Sequence, residues 1–557
     1  MPDESLNIVI GGEAGQGLVT LGDMLTKGLV RAGYEVLTSQ GYQSRIRGGH
    51  NTYEIRVDTR PVRAPKEPID LLVALDAASV DIERPRLADK ALILVGQDLG
   101  VSGLNVLAVP YKTLCPKPLF ENTAALGVLA RLLCLERSWL EGLLTESFHK
   151  KGDEVTAQNL KVFAQAQAWA EAAKTDFTCL APPAPGAKRL CLNGNEGLAL
   201  GAMAGGVNFC SFYPMTPATS VASALIEKGG ELGVVVEQAE DEIAAVNMAL
   251  GASYAGATAL VPTSGGGFDL MVEGLSLAGM IETPVVMVLG MRPGPATGLP
   301  TRTEQGDLRI ALHSGHGSFP RVVLAPGTPE QCFALAHRAV DQAERWQSPV
   351  ILLTDQYLAD SSRGVAPFDL AALPPVTKPG LSAAKGYERF AVTANGVSPR
   401  LIPGFGDYLV VADSDEHTPD GHITEDLEVR VRMMDKRMAK TQGMLKDVVP
   451  PSFSGHASPE ILLTCWGSTL GAAQEAADIL AQAGTAVAVL HFSQVEPLNP
   501  DHFLPALTKA KRTVMVEGNF EGQLAQHIRQ ETGFAFSQVI TRYDGLPFTA
   551  KYILDRL

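Results

Sequence analysis

The sequence predicts a multidomain α/β protein organised around doubly wound parallel sheets. Three observations predict it. Short apolar runs such as Leu71-Leu72-Val73-Ala74-Leu75 alternate with Ala-rich helical stretches, the rhythm of strands crossing over through helices. Glycine turns follow several of those runs, and 55 glycines in 557 residues supply them. Proline-rich joints at 181–186, 373–380 and 449–452 divide the chain, which at about 150 residues per domain and 46% hydrophobic content is long enough for three or four cores.

The first segment, 1–185, opens with a strand from Leu6 to Ile10, a glycine loop from Gly11 to Gly17 and a helix running through Leu29. Backbone N–H groups at Gly12, Gly15 and Gly17, with the helix N-terminus behind them, suit phosphate oxygens. The spacing is G-G-x-x-G-x-G rather than G-x-G-x-x-G, and 36–39 lacks the acid that holds a ribose, so nicotinamide binding is disfavoured. A close-packed turn without a ligand is the alternative. Arg45 and Arg47 stand beside Gly48-Gly49 ahead of a strand from Thr52 to Val57; two guanidinium forks there fit a polyanionic tail or, equally, a surface hairpin.

The second segment, 186–375, carries Tyr213-Pro214-Met215-Thr216-Pro217, in which the flanking prolines restrain Thr216 and aim its hydroxyl. Strands at 234–236, 259–262 and 284–289 each lead towards a helix or turn, the doubly wound pattern. Glu242 opens a helix of small residues (Ala244, Ala245, Ala249, Gly251), where a carboxylate is partly desolvated; capping of that helix by Glu240, Asp241 or Glu242 is the competing role. The run Gly265-Gly266-Gly267 is expected to be flexible. Arg292 ends a buried strand at the carboxyl edge of the sheet, where substrates bind, and Arg302 is a second candidate cation.

The third segment, 376–455, is an irregular connecting arm whose charged run, 428–437, predicts a helix solvated on one face. The last, 456–557, returns to α/β patterning, with strands at 461–464, 486–490 and 513–517.

Composition excludes several classes. A net charge of −15 without a basic block argues against nucleic acid. No apolar run approaches the roughly 20 residues of a membrane span, and the N-terminus lacks a basic start, so a cytoplasmic protein is expected. Seven scattered cysteines without a C-x-x-C pair read as reduced structural thiols, and the His313/His316 and 413–422 clusters read as structural loops, leaving no expected metal site.

In this order, the glycine loop with Arg47-Gly48-Gly49, the segment Tyr213 to Thr216 with Thr263-Ser264-Gly265, and the late motifs 517–523 and 544–548 resemble the alpha subunit of 2-oxoacid:ferredoxin oxidoreductases, of the 2-oxoglutarate type with a fused N-terminal gamma domain. The resemblance covers nearly the whole chain. It implies a gamma domain associated with coenzyme A, a transketolase-like, thiamine-diphosphate-binding pyrimidine domain with a parallel sheet, and a C-terminal α/β domain of the same kind. By resemblance Glu242 meets the cofactor's aminopyrimidine ring, Tyr213 and Pro214 line the same site, Thr216 and Arg292 orient the oxoacid, and Gly12, Gly15, Gly17 and Arg47 contact coenzyme A.

The Gly-Asp-Gly motif with a later Asn that holds magnesium and diphosphate is absent, as are cluster-ligating cysteines. The resemblance therefore implies a beta subunit carrying the Mg2+-diphosphate site and a 4Fe-4S cluster, in an (αβ)2 assembly that oxidises 2-oxoglutarate to succinyl-CoA and CO2 and reduces ferredoxin. Pyruvate or a branched-chain 2-oxoacid is the rival substrate. A non-catalytic nucleotide-binding scaffold or electron-transfer adaptor is the rival of another class.

Overall fold

The computed structural model describes all residues except 1–4, 44–47, 174, 176, 178, 184, 185, 187 and 384. Arg45 and Arg47 therefore lie outside the described residues. The chain forms two compact units, Met1–Leu192 with Asp360–Phe368, and Asn193–Ala359 with Asp369–Leu557.

The first unit is an eight-stranded sheet in the order Val106–Val109, Leu87–Gly96, Ile69–Ala74, Leu6–Ala14, Gly48–Asp58, Glu35–Gly41, Arg363–Val365, Leu190–Leu192. The first four strands run parallel, and the rest are added antiparallel. Alternate residues of Leu6–Ala14 feed opposite faces: Ile8 and Ile10 join a large core with Leu21, Leu25 and Phe163 from the covering helices, while Val9 joins a smaller one with Leu72 and Ile93.

Two expectations are corrected here. The glycine loop is shorter than the sequence suggests, because Gly11 and Gly12 belong to the strand Leu6–Ala14. A Cβ on Gly12 would lie 3.0 Å from Leu75 Cβ and 2.6 Å from Gln16 Oε1, so glycine is needed there for close packing rather than for a loop. Second, the thiols are not all reduced. Cys134 and Cys179 form a disulfide, their Cα atoms 5.4 Å apart although 45 residues separate them, and spacing along the chain cannot reveal such a pairing. Cys115, Cys191, Cys210, Cys332 and Cys465 are not disulfide-bonded.

The second unit holds two sheets. One has seven strands in the order Gln494–Glu496, Val322–Leu324, Pro349–Asp355, Val285–Met291, Ala259–Ser264, Phe209–Phe212, Val235–Gln238, all parallel except the first. The other has Ser452–Gly455, Val487–Phe492, Ile461–Trp466, Arg512–Glu517 and Gln538–Thr541, again parallel but for the first. One hydrophobic core runs through both, joining Val261, Met287 and Leu289 to Trp466, Phe492 and Met515. Gln305 ties the sheets by side chain and backbone: its Nε2 donates to Trp466 O at 2.9 Å, its Oε1 accepts from Gly518 N at 2.8 Å, and its own N–H donates to Gly518 O at 2.6 Å.

The arm helix Leu427–Lys446 has the solvated face that the run of charges predicts, with Glu428, Arg430, Arg432 and Asp435 exposed, but its other face buries Lys436, Arg437 and Lys440. The cations turn inward because carboxylates wait there: Lys436 Nζ lies 2.5 Å from Glu282 Oε1, Lys440 pairs with the other oxygen of Glu282, and Arg437 and Arg430 share Glu416. Among the described residues no helix is long and apolar enough to cross a membrane, and no group of three or more His, Cys, Asp or Glu is arranged to hold a metal ion.

Candidate active site

In the seven-stranded sheet the chain leaves Phe209–Phe212 towards Val235–Gln238 on one side, and leaves the neighbouring parallel strand Ala259–Ser264 towards Val285–Met291 on the other. The strand order reverses between these two neighbours, the place where open α/β sheets bind ligands beyond the carboxyl ends of their strands. Thr216, Glu242, the Ser264–Gly267 turn and Arg292 all follow strands of this sheet at that edge.

The turn carrying Thr216 is held from two sides. The fully buried Asn195 donates to Pro217 O at 2.8 Å, and Pro217 packs on Gly290, where a Cβ would come within 3.0 Å of the proline ring. Arg292 Nη1 donates to the backbone carbonyl of Thr216 at 2.9 Å, so the cation and the hydroxyl-bearing turn are brought together and one guanidinium edge is fixed. Burial lowers the Arg292 pKa from its ordinary value against the pull of Asp307, and the group stays a cation at neutral pH. Tyr213 and Pro214 are exposed at the start of the same turn.

Glu242 is the first residue of the helix Glu242–Tyr254, and the choice among capping residues is resolved: Asp241 caps, accepting from Ala244 N at 2.7 Å. Glu242 is thereby released from capping. It is only 3% exposed, and its Oε1 is buried without a hydrogen-bond partner. A buried, unsatisfied carboxylate oxygen costs free energy unless another molecule completes it. That oxygen lies against Gly267, whose Cβ would fall 2.6 Å from it and 2.2 Å from Thr263 Oγ1. The glycines are therefore not a flexible linker: they form the first turn of the helix Gly265–Leu270, and at Gly267 the missing side chain is the space that Glu242 occupies. Gly267→Ala gains helix propensity of at most about 1 kcal/mol, but the overlap with two buried side chains outweighs it, for an expected net loss of about 1–3 kcal/mol. Thermal unfolding measures this, and an unchanged Tm would contradict the packing described.

The sequence reading missed Glu304 and Asp307, which share the loop that follows Arg292. Burial and the neighbouring Asp307 push the Glu304 carboxyl up to about 7. Burial and Asp269 push Asp307 up to about 6, against the opposing pull of Arg292. Their sequence signal, two acids three apart beside Arg302, was too common to single out. Arg302 itself packs its stem beneath Gly545. Of the histidines in the two loops, His417 is fully buried against Phe390, with ring centroids 4.0 Å apart, whereas His313, His316 and His422 are exposed.

In the first unit, Gly15 and Gly17 line a cleft of about 460 Å³ with Gln40, Tyr42 and Asn51, onto which the N-terminus of the helix Leu18–Arg31 opens. Both glycines have positive φ, 97° and 80°, and Asn122 Nδ2 would lie only 2.2 Å from a Cβ on Gly17, so neither tolerates a side chain easily. Gly12 is not part of this lining.

Residues 200–436 match the family model described as pyruvate flavodoxin/ferredoxin oxidoreductase, thiamine diphosphate-binding; residues 7–169 match pyruvate ferredoxin/flavodoxin oxidoreductase; and residues 455–543 match the transketolase C-terminal domain. The chain is 32% identical over 616 residues to the 2-oxoacid:ferredoxin oxidoreductase subunit alpha of Sulfolobus sp, covering 98% of this chain and 95% of the relative. It is 30% identical to the 2-oxoglutarate oxidoreductase subunit KorA of Mycobacterium tuberculosis over 99% of this chain and 90% of the relative. Among solved structures, 2-oxoglutarate:ferredoxin oxidoreductase from Magnetococcus marinus, with 2-oxoglutarate, coenzyme A and succinyl-CoA bound, superimposes with a TM-score of 0.92 at 31% identity, covering 100% of this chain and 99% of that one. The chain belongs to the alpha subunits of the 2-oxoacid:ferredoxin oxidoreductase family.

Proposed function

We propose that this chain is the fused gamma-alpha subunit of a 2-oxoglutarate:ferredoxin oxidoreductase, which with a beta subunit converts 2-oxoglutarate, coenzyme A and two oxidised ferredoxins into succinyl-CoA, CO2, two reduced ferredoxins and a proton. The observation that carries the reading is the Glu242 carboxylate, released from capping and with its buried Oε1 unpaired, at the sheet edge where the strand order reverses. The Magnetococcus enzyme and the KorA relatives support 2-oxoglutarate as the oxoacid.

The residues present fit the pyrimidine end of thiamine diphosphate. Glu242 Oε1 lacks a partner, Ser264 Oγ at the same turn is buried and also lacks one, and Gly265–Gly267 keep the surface between them free of side chains. When bound, thiamine diphosphate supplies the carbon nucleophile for the keto group and retains the electrons left by CO2. Glu242 would hold the proton at a ring nitrogen of that group, a charge-assisted bond in a site shielded from water. Thr216 would offer its hydroxyl to the oxoacid, and the edge of Arg292 not committed to Thr216 O would take its carboxylate. We assign the diphosphate, Mg2+ and the 4Fe-4S cluster to the beta subunit, the assembly to (αβ)2 and the protein to the cytoplasm. The pantetheine-bearing coenzyme would meet Gly15 and Gly17 on the cleft of the first unit.

The division into 1–185, 186–375, 376–455 and 456–557 follows from this assignment of roles. The substrate test is coenzyme A-dependent reduction of a viologen dye by the αβ complex with 2-oxoglutarate, pyruvate and 2-oxoisovalerate. Arg292→Ala is expected to raise KM for the oxoacid by about 10- to 100-fold, more than it lowers kcat. Preference for pyruvate would overturn the substrate assignment, and an unchanged KM would remove Arg292 from the binding role.

A further inference from the structure

Asp307 stands at the N-cap position of the short helix Leu308–His313 and makes no capping bond. Elsewhere in the chain Asp76, Asn193, Asp241, Thr328, Asp426 and Thr549 occupy the same position and each caps its helix. The Asp307 backbone, at φ −102° and ψ 16°, is not in the extended conformation that those six share, so its side chain is left free of the helix N–H groups. Its Oδ2 is buried and has no hydrogen-bond partner, and it lies against Gly265, 2.7 Å from where a Cβ would stand. Glu242 Oε1 lies likewise against Gly267. Two carboxylates, each with a buried unpaired oxygen, thus flank one turn of three glycines, and the electrostatic partner of Arg292 is Asp307.

We propose that Asp307 is a positioning residue that couples oxoacid binding to proton uptake: when the substrate carboxylate seats on Arg292, Asp307 takes a proton from solvent and stops competing for that cation. The proposal rests on the reading that Arg292 receives the oxoacid. No bond breaks in the step; one carboxylate, that of the substrate, replaces another in the field of Arg292, and the displaced negative charge is neutralised by H+. The groups facing Asp307 are Arg292 after the strand Val285–Met291, Asp269 on the helix Gly265–Leu270, and Glu304 on its own loop. From the helix Gln523–Thr532, Gln523 Nε2 donates to Gly306 O at 2.8 Å, and the nearby Arg309 is already paired with Glu521 at 2.6 Å. Arg292 is the cation whose charge acts on the Asp307 carboxylate. With burial and Asp269 already lifting the Asp307 carboxyl to about 6, a second anion on Arg292 lifts it further, into the neutral range.

The sign follows from linkage. Below both the free and the bound pKa of Asp307 the proton is present in either state and affinity does not vary with pH. Between them binding takes up a proton and affinity falls by up to about tenfold per pH unit. Above both, affinity is low and level.

The test is isothermal titration calorimetry of the αβ holoenzyme near pH 7, in two buffers of different ionisation enthalpy. The probe is N-oxalylglycine, an unreactive isostere of 2-oxoglutarate, or oxamate if the complex turns over pyruvate. The wild type is expected to take up a substantial fraction of a proton per ligand, and Asp307→Asn none, with an affinity that no longer falls between pH 6 and 8. At pH 8 Asp307→Asn should lower the oxoacid KM by up to about tenfold. Zero uptake by the wild type overturns the proposal without any variant. Uptake that persists in Asp307→Asn and disappears in Glu304→Gln places the proton on Glu304 and overturns the assignment to Asp307. Arg292→Ala separates the two readings: if it binds the probe as the wild type does, the substrate role of Arg292 fails; if it loses binding while the wild type takes up no proton, only the Asp307 proposal fails.

Discussion

Glutamine at position 242 lowers the oxoacid turnover of the assembled enzyme by about two to four orders of magnitude, while the Tm of the complex changes little. The two halves of this expectation have one cause. Asp241 performs the capping, so Glu242 contributes nothing to the helix start that glutamine would forfeit. Its Oε1 satisfies no donor within the chain and is 3% exposed as part of the side chain, so the free subunit pays for the carboxylate rather than gaining from it. Glutamine keeps the volume against Gly267 and Thr263 and removes the negative charge that would hold a ring proton. Initial rates, differential scanning calorimetry and titration of thiamine diphosphate into the apo complex check this together. Turnover within tenfold of wild type at unchanged stability would show that the carboxylate is dispensable.

Glu282→Ala costs about 3–5 kcal/mol of stability, the typical penalty for leaving buried partner charges uncompensated. Glu282 is fully buried between Lys436 and Lys440, whose ammonium groups are themselves 3% and 1% exposed, and Arg389 Nη2 donates to its backbone carbonyl at 2.7 Å. Burial alone would raise the Glu282 carboxyl, but Lys440, Lys436 and Arg389 together hold it down at about 2. We take the cluster as ionised at neutral pH, because three cations face this one carboxylate. The folded pKa lies below the ordinary value of 4.5, so the contribution of Glu282 is complete above about 4.5 and is lost as pH falls through about 2. Denaturant melts at pH 7 should show the full loss in Glu282→Ala, and melts at progressively lower pH a narrowing gap between variant and wild type. A pH-independent gap, or a loss under about 1 kcal/mol at pH 7, would contradict an ion cluster in that state.

Fold class was legible because inner strands of the two later sheets such as Ala259–Ser264 and Ile461–Trp466 are short apolar runs followed by a glycine. The site was partly legible for a related reason. Thr216 and Arg292 follow such runs, so the sequence places both at one sheet edge, and the structure joins them through the bond from Arg292 Nη1 to Thr216 O. What the sequence hid depends on long-range partners. The burial of Lys436 and Lys440 was hidden because Glu282, about 150 residues earlier, carries no local sign of waiting for them. Gly12 read as a loop glycine because Leu75, which forbids its side chain, stands about 60 residues later, just after the strand Ile69–Ala74. Asp307 gave no sequence signal because nothing local shows that its side chain makes no capping bond. The pairing of Cys134 with Cys179 was hidden in the same way. Family membership decides against a non-catalytic adaptor, the rival that composition and motifs alone left open.

The central claim is that this chain supplies the pyrimidine-side half of a shared thiamine diphosphate site and works only with a partner. The most direct measurement is anaerobic viologen reduction with 2-oxoglutarate and coenzyme A, comparing the chain alone, the chain with its beta subunit, and the complex stripped of thiamine diphosphate. The account predicts turnover only when subunit and cofactor are both present, restored to the stripped complex by adding thiamine diphosphate. Turnover by the chain alone, or turnover by the complex that survives removal of the cofactor, would contradict it.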